Sequence, residues 1–392
     1  MFNNLKVLEI GHDISTLYCG RIMSIMGAKV IKVEFPRYEM PSDVSLNSRN
    51  ERDDRQKELL SAMNSGKKAV RIDLSSDIGK RDALSLISNS DIIINNIVKG
   101  KEQHDIFLYP KVKETNENLI YLLFSDFGTW GRRSDWKGTD LTLFHMSGNA
   151  PGLIGPVSEP QKEPPVRAGG YQVEFLSGLT GSTALMMAIF RRNMTGKGGY
   201  LEISKYEALV NQTIAGLANM AFGGSAPVRD LKKVKEASVG GMVGAIGGVL
   251  PAKDGYVAIS PREDDQWGRW VQLMGKPEWS QKEKFSSRSG REEHHEELWN
   301  LIALWTKKFS KHEIAHWGQG NHIPCFPVNT VEDLLADEQF NHRDFFVDLK
   351  LTDGEPLKIP GVPYKFSRMP MNLTGSPAPE PGQHNLELLG HN

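Results

Sequence analysis

Cysteine is scarce in this chain. Only Cys19 and Cys325 occur among 392 residues, which excludes a disulfide framework and fits a reducing compartment. An excess of either charge is also missing: 47 basic and 48 acidic side chains leave a formal net charge of -1. Nucleic acid and a membrane surface therefore have no electrostatic case as partners. No apolar window approaches the run that a membrane span needs, and the start, MFNNLKVLEIGHDI, has no apolar signal core. The 11 histidines show no metal-ligand spacing; His294 with His295 and His312 with His316 read as surface pairs, so no metal is expected. There is no internal repeat. These absences leave a cytoplasmic globular protein, long enough for two domains.

What is there alternates. LKVLEIG reads as a buried strand ending at Gly11, STLYCGRIMSIMG as a helix capped by Gly27, and AKVIKVEFP as a second strand closed by Pro36. KKAVRIDL, DIIINN and NLIYLLFSDFG are further strands, and SSDIGKRDALSLISNS is an amphipathic helix capped by Ser75 or Ser76. Arg37 to Glu58 lacks an apolar period and reads as a loop or solvated face. This order predicts an α/β fold with an open parallel sheet. Residues 1–220 with 331–392 are expected to form the large domain, and 225–330 a small α+β domain. In the latter, GVLPAKDGYVAISP predicts a hairpin turning at Asp254-Gly255. Trp267, Trp270, Trp305 and Trp317 are its expected core.

Two segments invite chemistry. In VRAGGYQVEFLSGLTG, glycines lead into a long apolar helix from Val173 to Arg192, and Glu174 sits in its first turn. A carboxylate there is favoured by the helix dipole alone. The segment GGMVGAIGG, with Gly240, Gly241 and Gly244, is a flexible connector or a place where backbone N–H groups approach a substrate. It lacks the strand and helix of a dinucleotide fingerprint. Cys325 reads as a small buried apolar residue.

An ordered set of segments resembles the family III CoA-transferases, the group with the formyl-CoA, carnitine and benzylsuccinate CoA-transferases and the α-methylacyl-CoA racemases. The set begins with VLEI…LYCGRIMSIMGAKVIKVE and continues with NSGKKAVRIDL, DIIINNIVKGK and LFSDFGTWGRRSDWKGTDLTLFHMSG. It ends with TGKGGYLEISKYEAL, DGYVAI, IPCFPVNTVEDLLAD and PGVPYKFS…PEPGQHN. The resemblance implies a Rossmann-like large domain, a small domain and two interlocked protomers. It implies CoA transfer from an acyl-CoA to a carboxylic acid through an enzyme-bound anhydride and thioester. Coenzyme A enters as substrate, and the partner protomer is a second copy or a paralogous subunit.

Residue by residue, the family's nucleophilic aspartate falls at Glu174, one methylene longer. Coenzyme A is expected against Arg37, Ile72, Asn96, His104, Lys137 and Thr139, with Gly240, Gly241 and Gly244 as a mobile loop over the nucleophile. The chain departs from the pattern at several of these places. Ala-Gly-Pro at the first helix start reads Ser15-Thr16-Leu17, and three usual basic positions read Phe35, Ser75 and His104. Lys67 and Lys68 are kept and read as solvated. The racemase branch needs a histidine where this chain has Thr139, and threonine is no base near neutral pH. Tyr171, Phe144, Met146 and Met242 suit an apolar or aromatic acid. Three functions follow: a transferase subunit that relies on an active paralogue, a self-sufficient transferase using Glu174, and a small-molecule binding protein without catalysis.

Overall fold

The structure is a computed structural model and describes residues 1–36, 53–97, 102–153, 159–224, 248–261, 263–351, 356–368, 371, 373 and 375–391. It divides into two compact units, Met1–Glu236 with Asp344–Asn392, and Ala237–Arg343.

The first unit is built on six strands: β1 (Lys6–Ile10), β2 (Lys29–Glu34), β3 (Lys68–Arg71), β4 (Ile92–Asn95), β5 (Ile120–Ser125) and β6 (Gly199–Ser204). All pair in parallel, in the order β3-β2-β1-β4-β5-β6. That order belongs to doubly wound sheets, whose ligands bind beyond the carboxyl ends of the strands. β4 and β5 are buried along their whole length, as strands covered on both faces must be. The β5–β6 register pairs Ser125 with Ser204. It therefore brings the next residues, Asp126 and Lys205, together at the sheet's carboxyl edge. The far edge is closed by the chain's own end: His384 N–H donates to Ala69 O and Asn385 Nδ2 to Arg71 O.

The connecting helices carry the site. They are α1 (Ile14–Ile25), α2 (Asp53–Asn64), α3 (Asp77–Ser88), α4 (Tyr109–Thr115), α5 (Asp140–Met146), α6 (Ala150–Leu153), α7 (Gln172–Thr195), α8 (Lys205–Val210) and α9 (Ile214–Ala221). α2 corrects the reading of Arg37 to Glu58 as irregular. Its apolar run, Leu59 to Met63, is too short to show a helical period. α7 corrects the statement about membrane spans: by length and composition alone it could cross one. Here its inner residues pack in the core instead, with Leu185 and Ile189 beside Leu122 and Phe124.

α1 and α7 touch at Gly178. A Cβ there would lie 2.7 Å from Ser15 O and 3.1 Å from Tyr18 Cδ1. One turn earlier, Phe175 meets Tyr18 edge-on at 4.9 Å. This approach sets Glu174 against the start of α1.

Beneath α1 lies a fully buried ion pair. Lys67 Nζ is 2.7 Å from Glu9 Oε2 and donates to Leu17 O at 2.9 Å. Lys67 is thus a core residue, not a solvated one, because the glycine turn at 66 directs it under α1. Gly20 leaves the room: a Cβ there would fall 1.8 Å from Glu9 Oε2. His12 follows β1 and is also buried, its ring meeting Phe35 edge-on. Burial, with the charges of Lys32 and His104, pushes its pKa down to about 3, against the opposing pull of Asp13.

The second unit holds the antiparallel sheet β7 (Gly248–Ala252), β8 (Gly255–Ile259) and β9 (Cys325–Pro327). Ala252 pairs with Gly255, so the turn residues are Lys253 and Asp254, one position earlier than expected. Helices cover a core of Trp267, Trp270, Phe285 and Ile314, with Trp305 packed against it; Trp317 packs on Trp305 and Phe309. β10 (Phe346–Leu349) and β11 (Leu357–Pro360) form a hairpin in the first unit.

Three outcomes test this packing. Gly178→Ala should cost about 1–3 kcal/mol in urea unfolding, as overpacking does. Lys67→Met should cost about 3–5 kcal/mol, because it leaves Glu9 buried without its cation. The neutral state of His12 contributes stability above its unfolded pKa, near 6.5, and this is lost as pH falls towards 3. Between pH 6.5 and 4.5, wild-type stability should therefore drop relative to His12→Asn by about 1.4 kcal/mol per pH unit; equal slopes would refute the assignment.

Candidate active site

Glu174 lies where two helices begin. It is the third residue of α7, whose first residues lack a side-chain cap of their own. Asp140, on α5, supplies one from outside: its Oδ1 accepts from Val173 N–H at 3.0 Å, and its Oδ2 pairs with Arg167. The aspartate of GTD thus anchors the start of α7, while Thr139 caps α5 through Thr142. Opposite stands the start of α1, capped by Asp13, whose Oδ1 accepts from Thr16 N–H at 2.9 Å.

Both oxygens of Glu174 are engaged. Oε2 accepts from Ser15 N–H at 3.0 Å and from the Ser15 hydroxyl. Oε1 accepts from Lys205 Nζ at 2.8 Å. Lys205 also pairs with Asp13 Oδ2 at 2.7 Å and faces Asp126 Oδ1 at 3.8 Å. Gly138 N–H holds the other Asp126 oxygen at 2.9 Å. Three carboxylates thus surround one ammonium whose side chain is 7% exposed.

The electrostatics follow from that count. The three carboxylates outweigh burial and hold Lys205 charged, far above the usual lysine range. Burial raises the Glu174 carboxyl, Lys205 opposes that, and Asp13 adds to it. Asp13 itself ends lower than usual, because Lys205 and Thr16 overcome its burial. Every contact to Glu174 is a donor, which favours its ionised form. The assembly is an oriented carboxylate with an amide N–H at one oxygen and a cation at the other. A carboxylate and an amide N–H are what acyl transfer requires of a nucleophile and its anhydride. The ammonium on Oε1 adds a positive charge beside that carboxylate.

The positions expected to meet coenzyme A fall elsewhere on the same edge. Ile72 is buried in the core with Phe35 and Phe107, its N–H on Glu34 O at 2.9 Å. His104 is buried too, and its ring lies 4.8 Å from that of Phe35. Asn96 is half-buried after β4, whereas Lys137 and Thr139 are exposed. Of the three positions where basic side chains were expected, Phe35 and His104 pack on each other, with Phe107 also against Phe35, and Ser75 is exposed. Arg37, Gly240, Gly241, Gly244 and Met242 lie outside the described residues. Phe144 is a core residue beside Val173 and Leu209, not a pocket wall. Among the described residues no group of His, Cys, Asp and Glu could hold a metal ion. Burial pushes the Cys19 and Cys325 thiols up to about 12, so neither is a nucleophile.

The sequence singled out Glu174 as a candidate but not the Lys205, Asp13 and Asp126 that the structure gathers beside it, and Ser15 read only as a departure from the family pattern. One signal was available. Asp126 and Lys205 directly follow β5 and β6, and Asp13 lies three residues after β1, at the edge where an α/β sheet gathers functional residues.

The family described as CoA-transferase family III matches residues 2–385. A succinate–glutarate CoA-transferase of Agrobacterium fabrum is 26% identical over 99% of this chain and 94% of its own length. The succinyl-CoA:(R)-benzylsuccinate CoA-transferase subunit BbsE of Thauera aromatica is 27% identical over 99% and 93%. A CAIB/BAIF family protein from Brucella suis has the same fold, with a TM-score of 0.83 and 24% identity over 99% of this chain and 98% of that one. With geometry and sequence in agreement over nearly its whole length, the chain belongs to the family III CoA-transferases.

Proposed function

We propose that the chain is the non-nucleophilic subunit of an enzyme that transfers CoA between carboxylic acids, paired with a paralogous subunit that supplies the attacking carboxylate. The observation that carries this reading is the engagement of both Glu174 oxygens, one of them by the buried Lys205. An ion-paired carboxylate is a weak nucleophile, and two further carboxylates repel an anionic substrate. Phe35, packed on the buried His104, supports the same view, because it offers no cation to the phosphates of coenzyme A where a basic side chain was expected. The relative from Thauera aromatica is itself named as a subunit. The names of both relatives contain succinate or succinyl, and we take succinyl-CoA as the acyl donor.

The partner's seat is argued from apolar exposure. On α7, Leu179, Met187, Phe190 and Met194 are each at least half exposed along one stripe, and Ile214, Leu217 and Met220 of α9 are exposed as well. Patches of this kind mark interfaces. The interlocked dimer implied by the family would cover them. Two buried free thiols suit a cytoplasmic setting.

The other reading, with Glu174 as a self-sufficient nucleophile, is favoured by one observation. Ser15 N–H stands ready to hold the carbonyl oxygen of an anhydride at Glu174.

Trapping separates the two. The chain, alone and co-purified with its partner, is incubated with succinyl-CoA and hydroxylamine, and peptides are analysed by mass spectrometry. A hydroxamate should form on the partner's carboxylate and not on Glu174. A hydroxamate on Glu174, or loss of turnover in the complex carrying Glu174→Gln, would overturn the subunit reading. Light scattering of the chain co-purified with its partner should give a mass above that of one chain; two separate monodisperse monomers in that mixture would remove the interlocked assembly.

A further inference from the structure

We infer that Lys205 is a lock on Glu174: its ion pair withholds the carboxylate from acyl transfer, and Asp13 ties that lock to the start of α1. This inference rests on the non-nucleophilic reading and explains it by one side chain.

The geometry is specific. Attack on a thioester uses a lone pair on Oε1 or Oε2, and the one that Oε1 keeps is made less basic by the ammonium beside it. Oε2 carries the two Ser15 donors and Oε1 the ammonium. In the withheld step, a Glu174 oxygen would bond to the thioester carbonyl carbon and the C–S bond would break. CoA would leave as thiolate, and an uncharged mixed anhydride would form. Glu174 would lose its negative charge while Lys205 stayed charged and buried between Asp13 and Asp126. The attraction between Lys205 and Glu174 thus exists before attack and is gone after it. It stabilises the ground state only, and such an interaction slows the step. Breaking a buried, hydrogen-bonded charge pair corresponds to a rate factor on the order of 100.

Asp13 makes the lock part of the scaffold. One of its oxygens caps α1 through Thr16 N–H, and the other holds Lys205. The helix start that presents Ser15 to Glu174 is thereby fixed to the lysine that pairs with Glu174. The groups facing Glu174 are Ser15 and Asp13 from α1, Lys205 from α8 and, across Lys205, Asp126 after β5. Lys205 acts through Glu174 and is a positioning residue.

The test keeps the local charge balance. Lys205→Met alone would leave three carboxylates together, so it is combined with Asp13→Asn, since asparagine also caps helices well. The probe is the succinyl thioester of N-acetylcysteamine with hydroxylamine, which needs no nucleotide site. The full chain is used, and folding is checked by circular dichroism. Wild type and Lys205→Arg should give no hydroxamate on Glu174 above the detection limit, and the double variant should label Glu174 at a rate on the order of 100-fold above that limit. A folded double variant no faster than an unlabelled wild type overturns the lock and leaves the subunit reading intact. Slow labelling of wild type with acceleration in the double variant upholds the lock and overturns the subunit reading. Equal labelling of both overturns both.

A second measurement covers a double variant that does not fold. Glu174 is coupled to glycinamide by a water-soluble carbodiimide across pH. Lys205→Met should move the labelling midpoint of Glu174 to higher pH, because the cation opposing its burial is gone, and Lys205→Arg should restore it. An unmoved midpoint overturns the lock.

Discussion

The ammonium of Lys205 holds together the carboxyl ends of β1, β5 and β6. Without it, Asp13, Asp126 and Glu174 would converge as three like charges in a largely buried space, and at least one would have to take up a proton. With it, Glu174 stays in a single orientation, and Asp13 serves both the lysine and the start of α1. The β5–β6 register supplies part of this cluster, since it sets Asp126 beside Lys205.

A second constraint brings Glu174 to that cluster. α7 reaches α1 closely only because Gly178 presents no Cβ to Ser15 O. The same contact aligns Ser15 N–H with Glu174, so packing and site chemistry share one residue. Below, the Glu9–Lys67 pair supports α1 through Leu17 O. Two buried ion pairs therefore bracket this helix, one under its middle and one at its start.

Much of this was legible in the chain. The alternation of strands and helices and the hairpin near residue 254 follow from local patterns, whereas Glu174 was singled out by the family resemblance. These patterns report burial every two or 3.6 residues. α2 escaped because its apolar run is short, and Lys67 was misread because a lysine in sequence shows only its charge. Asp13, Asp126 and Lys205 stand 79 to 192 positions apart, and no local period links residues at such distances.

By itself, then, the sequence determined the α/β class and the family, and the family resemblance singled out one carboxylate, Glu174. Each depends on residue order or on periodic burial, and both can be read along the chain. The tertiary structure alone decided what that carboxylate touches. Parallel strand register and the Gly178 contact collect one lysine and two more carboxylates around it, and charges interact through space regardless of their separation in sequence.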